Sequence, residues 1–226
     1  MYLKNCKYVH DENELNESWA KLGRNPQQNK EISPQQKNKY LVDETAEDYE
    51  KITLPYIQTK EKGLIWVYDI LDYRAEQDRV VFEDPDSTIG FVLIPPRYYE
   101  RSFHLLAIVR QCGIKSIRDL TAEHIPLLEN IKHKSSQVIK KKFGFESHQL
   151  KFFFHYQPSY YHLHVHIQLG TFIHGEKDVM LEDVIKNLLV SPDFYKKTTL
   201  RFIKKERDSL LKKFREVGKG SELFKK

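Results

Sequence analysis

Residues 160–170 of this chain read Tyr-Tyr-His-Leu-His-Val-His-Ile-Gln-Leu-Gly, so that His162, His164 and His166 alternate with apolar or β-branched residues. Successive side chains of a strand point to opposite faces, and three imidazoles at i, i+2 and i+4 in β-forming sequence therefore line one face. A neutral imidazole, with an ordinary pKa near ~6.5, is a competent nucleophile toward phosphorus when one ring N–H is held so that the other nitrogen's lone pair faces the phosphate. His162 and His166 lie about 6.6–6.8 Å from His164 along a strand, close enough to orient it or to donate to phosphate oxygens. Zinc ligation is the competing chemistry, since alternating strand histidines can offer two nitrogens to a metal. It needs a carboxylate or third ligand, and the neighbouring sequence supplies no convincing set. A lone strand histidine is usually a half-buried polar group finding a partner, which explains strict alternation of three poorly.

The elements that must position this row surround it. HQLKFFFHY (148–156) is a second β-rich run, joined to the histidine run by Gln157-Pro158-Ser159, and the two are expected to pair antiparallel. RVVFED (79–84) and GFVLIP (90–95) read as two further strands about a turn at Pro85-Asp86-Ser87-Thr88. Thr121 caps a long helix with Ile125, Leu128, Ile131, Val138 and Ile139 on its inner face. Residues 103–111 read as a short helix, 40–45 as a short strand, and 47–54 as a helical turn or two stopping before Pro55. LIWVYDILDYRAEQ (64–77) begins too continuously apolar for a surface helix, which gives Trp66 a special place. Residues 180–189 and 207–217 read as amphipathic helices. At the start, Asp11 caps a short helix carrying Leu15, Trp19 and Leu22 and ended by Gly23; residues 24–39 then lose all periodicity and read as a linker or arm.

Lys plus Arg outnumber Asp plus Glu by 37 to 32, a +5 balance that suits a phosphate-bearing ligand and falls short of a dedicated nucleic-acid binder. The first residues contain no apolar targeting segment, and no run approaches the ~18 apolar residues of a membrane span, so the cytoplasm, and also the nucleus, is the expected location. Cys6 and Cys112 are far apart and read as reduced thiols.

HLHVHIQ looks like the signature of the histidine triad superfamily. With HYQPSYYHLHVH (155–166), WVYDILDYRAEQDRVVFEDPD (66–86), GFVLIP and GIKSIRDLT (113–121), the chain resembles that superfamily's scavenger mRNA decapping enzymes from about Tyr40 to Leu211. The resemblance implies an α+β domain with a histidine-triad-like antiparallel sheet flanked by helices, paired as a homodimer. The implied activity is hydrolysis of the 7-methylguanosine cap of short RNA fragments without metal or other cofactor, releasing 7-methyl-GMP through a nucleotidyl-histidine intermediate. Carried over residue by residue, His164 is the nucleophile, with His162, His166, the upstream His155, Ser159 and Tyr160 around the phosphates. Trp66 and Glu76 match the cap readers. An indole face attracts the delocalised 7-methylguanine cation, and a carboxylate accepts from the Watson–Crick donors of guanine. Without the resemblance Trp66 reads as core.

This chain departs from the family pattern in places. Pro95-Pro96-Arg97-Tyr98-Tyr99 stands where the family follows its strand with Asp-Leu-Lys, leaving Pro95, Arg97 or Tyr98 to make cap contacts. Lys177 replaces an expected phosphate-contacting Arg, keeping the charge and losing the bidentate fork. Only residues 1–39 precede the catalytic domain expected over 40–226, so the family's N-terminal lid is expected to be reduced to a short arm and rejection of longer capped RNA to weaken. Two alternatives stay open: a broader dinucleoside polyphosphate hydrolase and a non-catalytic cap-binding regulatory paralogue.

Overall fold

A computed structural model describes residues 39–96, 103–170 and 175–223. The helix expected after Asp11, the arm expected over most of residues 1–39, and Arg97 and Tyr98 lie outside the described residues. The architecture is α+β. A six-stranded sheet runs in the order β2-β3-β4-β6-β5-β7, with every neighbouring pair antiparallel. Its strands are β2 (Phe82–Glu83), β3 (Phe91–Ile94), β4 (His104–Val109), β5 (Leu150–His155), β6 (His164–Leu169) and β7 (Asp178–Met180). A smaller antiparallel sheet, β8-β1-β9, is built from β1 (Lys39–Glu44), β8 (Leu200–Lys205) and β9 (Ser221–Glu222). Among the described residues no helix is long and apolar enough to cross a membrane.

Strand alternation divides the large sheet into two faces. Phe91, Leu93, Leu105, Ala107, Phe152, Phe154, Val165 and Ile167 share one hydrophobic core with Leu128, Ile131 and Ile139 of the long helix Ile125–Phe143. Thr121 caps the 3-10 turn that leads into this helix, and Gly144 ends it in the left-handed conformation that glycine adopts without a Cβ penalty. On the other face Val92, Ile94, Leu106 and Ile108 pack against Val67, Ile70 and Leu71 of the short helix Ile65–Leu71. That second face carries His164 and His166, which are paired with Ile108 and Leu106 of β4. The segment carrying Trp66 is therefore a helix, with its apolar side laid on the histidine face of the sheet.

Three sequence expectations need correcting. Residues 103–111 are not a helix: His104–Val109 is β4, a central strand paired with β3 and β6. All six of its residues are buried, because helices cover both faces of the sheet at this point, and such a strand shows a continuous apolar run with no period to separate it from a helix. The helical run after β1 does not stop before Pro55. It continues over Leu54–Gln58, because Tyr49–Thr53 forms a π-helical turn and Pro55 falls in the first turn of the next α segment, where no N–H is needed. The third correction concerns His162, which precedes β6 and lies in the 156–163 connection, so only His164 and His166 are strand residues.

Gly90 shows why the turn into β3 takes this residue. A Cβ there would come within 2.1 Å of the Asp86 carbonyl and 2.4 Å of the Asp84 carbonyl, both backbone atoms that cannot give way.

One buried charged group ties the histidine connection to the small sheet. Glu44, at the end of β1 and 0% exposed, accepts from Arg118 Nη2 at 2.8 Å, from Gln157 Nε2 at 2.9 Å, from Thr53 Oγ1 at 2.5 Å and from the Tyr156 hydroxyl. Arg118, 2% exposed, also donates through Nη1 to the carbonyls of Tyr195 and Thr198, each at 2.7 Å. Tyr156 and Gln157 open the connection that carries Tyr160 and His162 into β6, so the buried Glu44–Arg118 pair ties that connection to the small sheet.

Candidate active site

The partners of each imidazole fix its protonation pattern. His164 Nδ1 lies 2.7 Å from the carbonyl of His162, and a carbonyl can only accept, so Nδ1 carries the proton and Nε2 keeps its lone pair. By the same argument His162 donates Nε2–H to the Val109 carbonyl at 2.7 Å. The backbone of His162 thus orients His164, where the sequence pattern had suggested its imidazole. Burial pushes His164 down to about 4, with the neighbouring His155, His162 and His104 acting in the same direction. Burial also lowers His162, and lowers His166 well below the ordinary imidazole range. At neutral pH the row is uncharged, and His164 presents a held, neutral imidazole with the geometry a phosphorus nucleophile needs.

Aromatic contacts connect this nitrogen to the expected base-reading helix. The Trp66 ring meets Tyr160 edge-on at 4.9 Å, and Tyr160 stacks on His164 at 4.0 Å with 18° between planes. His164 and His166 rings are 5.1 Å apart, and His155 lies 4.0 Å from His166. Trp66, Tyr160, His164, His166 and His155 therefore form one continuous row. Arg110 fixes the Trp66 helix above it, donating Nη1 to the Leu71 carbonyl at 3.0 Å and Nε to the Asp84 carbonyl at 3.1 Å while pairing with Glu83. His155 leads outward, its side chain 31% exposed and its Nε2 3.4 Å from Asp178 Oδ1. Asp178 is in turn held by Lys151 Nζ at 2.5 Å and the Gly175 N–H at 2.7 Å.

The remaining expected residues fall in three groups. Glu76 and Pro95 are brought together by Arg79, which pairs with Glu76 and donates Nη2 to the carbonyls of Pro95 and Pro96 at 2.9 Å each. Glu76 sits at φ 55°, a left-handed conformation unusual for a side chain with Cβ, so its place is imposed by these anchors. Ser159 is exposed beside Tyr160. Lys177 gives its carbonyl to the Tyr156 N–H at 2.9 Å, and its ammonium senses Lys204, Asp208 and Lys205, so it borders the small sheet. Arg97 lies outside the described residues. The sequence reading missed His104, Arg79, Asp178 and the Glu44–Arg118 pair. His104 alternates with Leu106 and Ile108, a signal readable once 104–109 is taken as a strand; no local pattern announces the others.

The depressed His164 value makes stability depend on pH. With about 6.5 in the unfolded chain and about 4 in the folded one, the unfolded state binds more protons between those values. The contribution is present above about pH 6.5 and is lost as pH falls toward 4. Between pH 7 and pH 5 the His164 share is about 2 kcal/mol. Urea unfolding is expected to show this loss in the wild type and a shallower one in His164→Asn; equal slopes would contradict the assignment.

Residues 65–177 match the family described as "Scavenger mRNA decapping enzyme C-term binding". Proteins named "m7GpppX diphosphatase" are similar to the chain: one from Ascaris suum is 46% identical over 188 residues, one from Homo sapiens 44% over 185, and one from Schizosaccharomyces pombe 44% over 174. These alignments cover 77%, 78% and 73% of this chain and 61%, 55% and 57% of the respective relatives. The chain thus spans somewhat over half the length of the curated relatives it matches. The family's matched stretch runs from the Trp66 helix through the histidine row to Lys177, which is the site just described, and the chain belongs to the scavenger mRNA decapping enzyme C-terminal family.

Proposed function

We propose that this protein hydrolyses the 7-methylguanosine cap of short RNA fragments, releasing 7-methyl-GMP. The observation that carries the proposal is the unbroken contact from Trp66 through Tyr160 to His164, which sets a cation-attracting indole beside a neutral, oriented imidazole. The relatives' name, m7GpppX diphosphatase, supports the same substrate.

In this reading His164 Nε2 attacks the phosphorus next to 7-methylguanosine. The bond from that phosphorus to the bridging oxygen breaks, and the remaining nucleoside diphosphate leaves. Water then attacks the 7-methyl-GMP held on His164, breaking the P–N bond and returning the lone pair to Nε2. The His162 carbonyl stabilises the positive charge that develops on the His164 ring through the Nδ1–H bond. His166, Ser159 and Tyr160 surround the phosphates. His155, oriented by Asp178 at the exposed end of the row, is placed to move protons for the leaving group and the incoming water. Glu76 reads the guanine edge, held with Pro95 by Arg79. Arg97 and Lys177 are carried as phosphate contacts and the homodimer as the assembly, both on the resemblance.

Methylation at N7 puts a positive charge on the base, and its attraction to an indole strengthens binding by about 0.5–2 kcal/mol, roughly 2- to 30-fold. The kcat/KM ratio of a methylated cap dinucleotide to its unmethylated analogue is therefore expected to exceed one by that factor and to collapse toward one in Trp66→Ala. Equal wild-type rates on the two substrates would favour a broad dinucleoside polyphosphate hydrolase. Tight binding without turnover would favour a regulatory cap-binding protein.

A further inference from the structure

His104 lies on β4, on the face of the sheet that carries His166, and its Nε2 is 2.9 Å from His166 Nδ1. Both residues are buried, at 5% and 8% exposure, and Phe153 stacks on the His166 ring at 5.1 Å with 17° between planes. Packing therefore fixes the plane of the His166 ring. What remains to be chosen is which of its nitrogens carries the proton.

A hydrogen bond between two imidazoles has one donor and one acceptor, so the bond at Nδ1 decides what a neutral His166 shows at Nε2. That Nε2 is buried and has no hydrogen-bond partner among the described residues. An unmet buried polar atom is unfavourable, and that cost is removed when a ligand group meets it. If His166 donated from Nδ1, Nε2 would show a lone pair to phosphate oxygens that can only accept, next to the lone pair already held on His164. If His104 donates, Nε2–H of His166 faces those oxygens as a donor.

We infer that His104 is a positioning residue: it donates Nε2–H to His166 Nδ1 and so holds His166 as an Nε2–H donor to a non-bridging oxygen of the phosphate under attack. The inference rests on the 2.9 Å contact for the bond between the two rings, and on the phosphate-transfer reading of the site for its direction, because oxygens that only accept require a donor at His166 Nε2. The donated bond matters most when negative charge builds on the phosphate oxygens, so it acts on kcat more than on substrate binding.

Imidazole nitrogen NMR on the whole chain tests the proton position directly. The wild type is expected to show His166 protonated at Nε2 and a scalar coupling across the His104–His166 bond. His104→Phe keeps ring volume and removes the donor: the coupling should vanish and kcat should fall about 10- to 100-fold with KM changed less than about 3-fold. His104→Gln, whose amide N–H can take the place of the imidazole N–H, should recover most of the rate. A wild-type His166 protonated at Nδ1 would overturn the inference, as would full kcat in His104→Phe, or a folded His104→Gln as slow as the Phe variant. If the wild type turned over no capped substrate, the functional reading would fail while the coupling still decided the proton position.

Discussion

His164→Asn is expected to lower the single-turnover rate on a 7-methylguanosine cap dinucleotide by on the order of 10⁴- to 10⁶-fold, the range seen when a covalent nucleophile is removed. Asn keeps an amide N–H that can reach the His162 carbonyl, so the loss does not depend on collapse of the 156–163 connection. Affinity should stay within about 3-fold, because binding is assigned to Trp66, Glu76 and the phosphate contacts, and an interaction made mainly in the transition state costs kcat and leaves KM. Calorimetric titration of the inactive variant with intact cap dinucleotide measures that half of the expectation. An alkaline quench of the wild type, which preserves P–N bonds, should recover 7-methyl-GMP on the peptide containing His164 and none from the variant. Retention of more than about a hundredth of the wild-type rate would remove His164 from the bond-making step.

Glu44→Ala is expected to destabilise the fold by about 3–5 kcal/mol, the usual result of leaving one member of a buried ion pair uncompensated. Arg118 would remain among carbonyls with its charge unmatched, and the Tyr156 hydroxyl, Gln157 Nε2 and Thr53 Oγ1 would each lose an acceptor. Adding Arg118→Met should return part of the loss, since removing both charges is far cheaper than removing one. Urea denaturation of the single and double variants checks this. A double variant no more stable than Glu44→Ala would mean that the Tyr156, Gln157 and Thr53 contacts, and not the charge pair, hold this corner. The effect should reach activity as well, because Tyr156 and Gln157 lead into Tyr160 and His164.

How much of this was legible in the sequence follows from where each signal lies. The β5–β6 pairing, the alternation of His164 and His166 on β6 and the inner face of the long helix are local patterns with periods of two and 3.6 that recur in the structure, whereas His162 falls before the strand. The Trp66 helix and β4 were hidden for the same reason: each packs against the other, so both read as continuous apolar runs whose period is blurred. Misreading β4 concealed His104, and with it the partner that sets His166. The Glu44–Arg118 pair joins residues 74 apart in sequence, and Asp178 reaches Lys151 across 27. Contacts of that span exist only once the sheet order is known. Glu76 was found from the family motif, whereas its left-handed backbone and its Arg79 anchor could be seen only in three dimensions.

Mass analysis of the products from a 7-methylguanosine cap dinucleotide, turned over in heavy-oxygen water, bears most directly on the proposed chemistry. Attack at the phosphorus next to the methylated nucleoside predicts 7-methyl-GMP carrying one solvent oxygen, together with an unlabelled nucleoside diphosphate. Solvent oxygen in the diphosphate, 7-methyl-GDP as product, or no cleavage at all would contradict it.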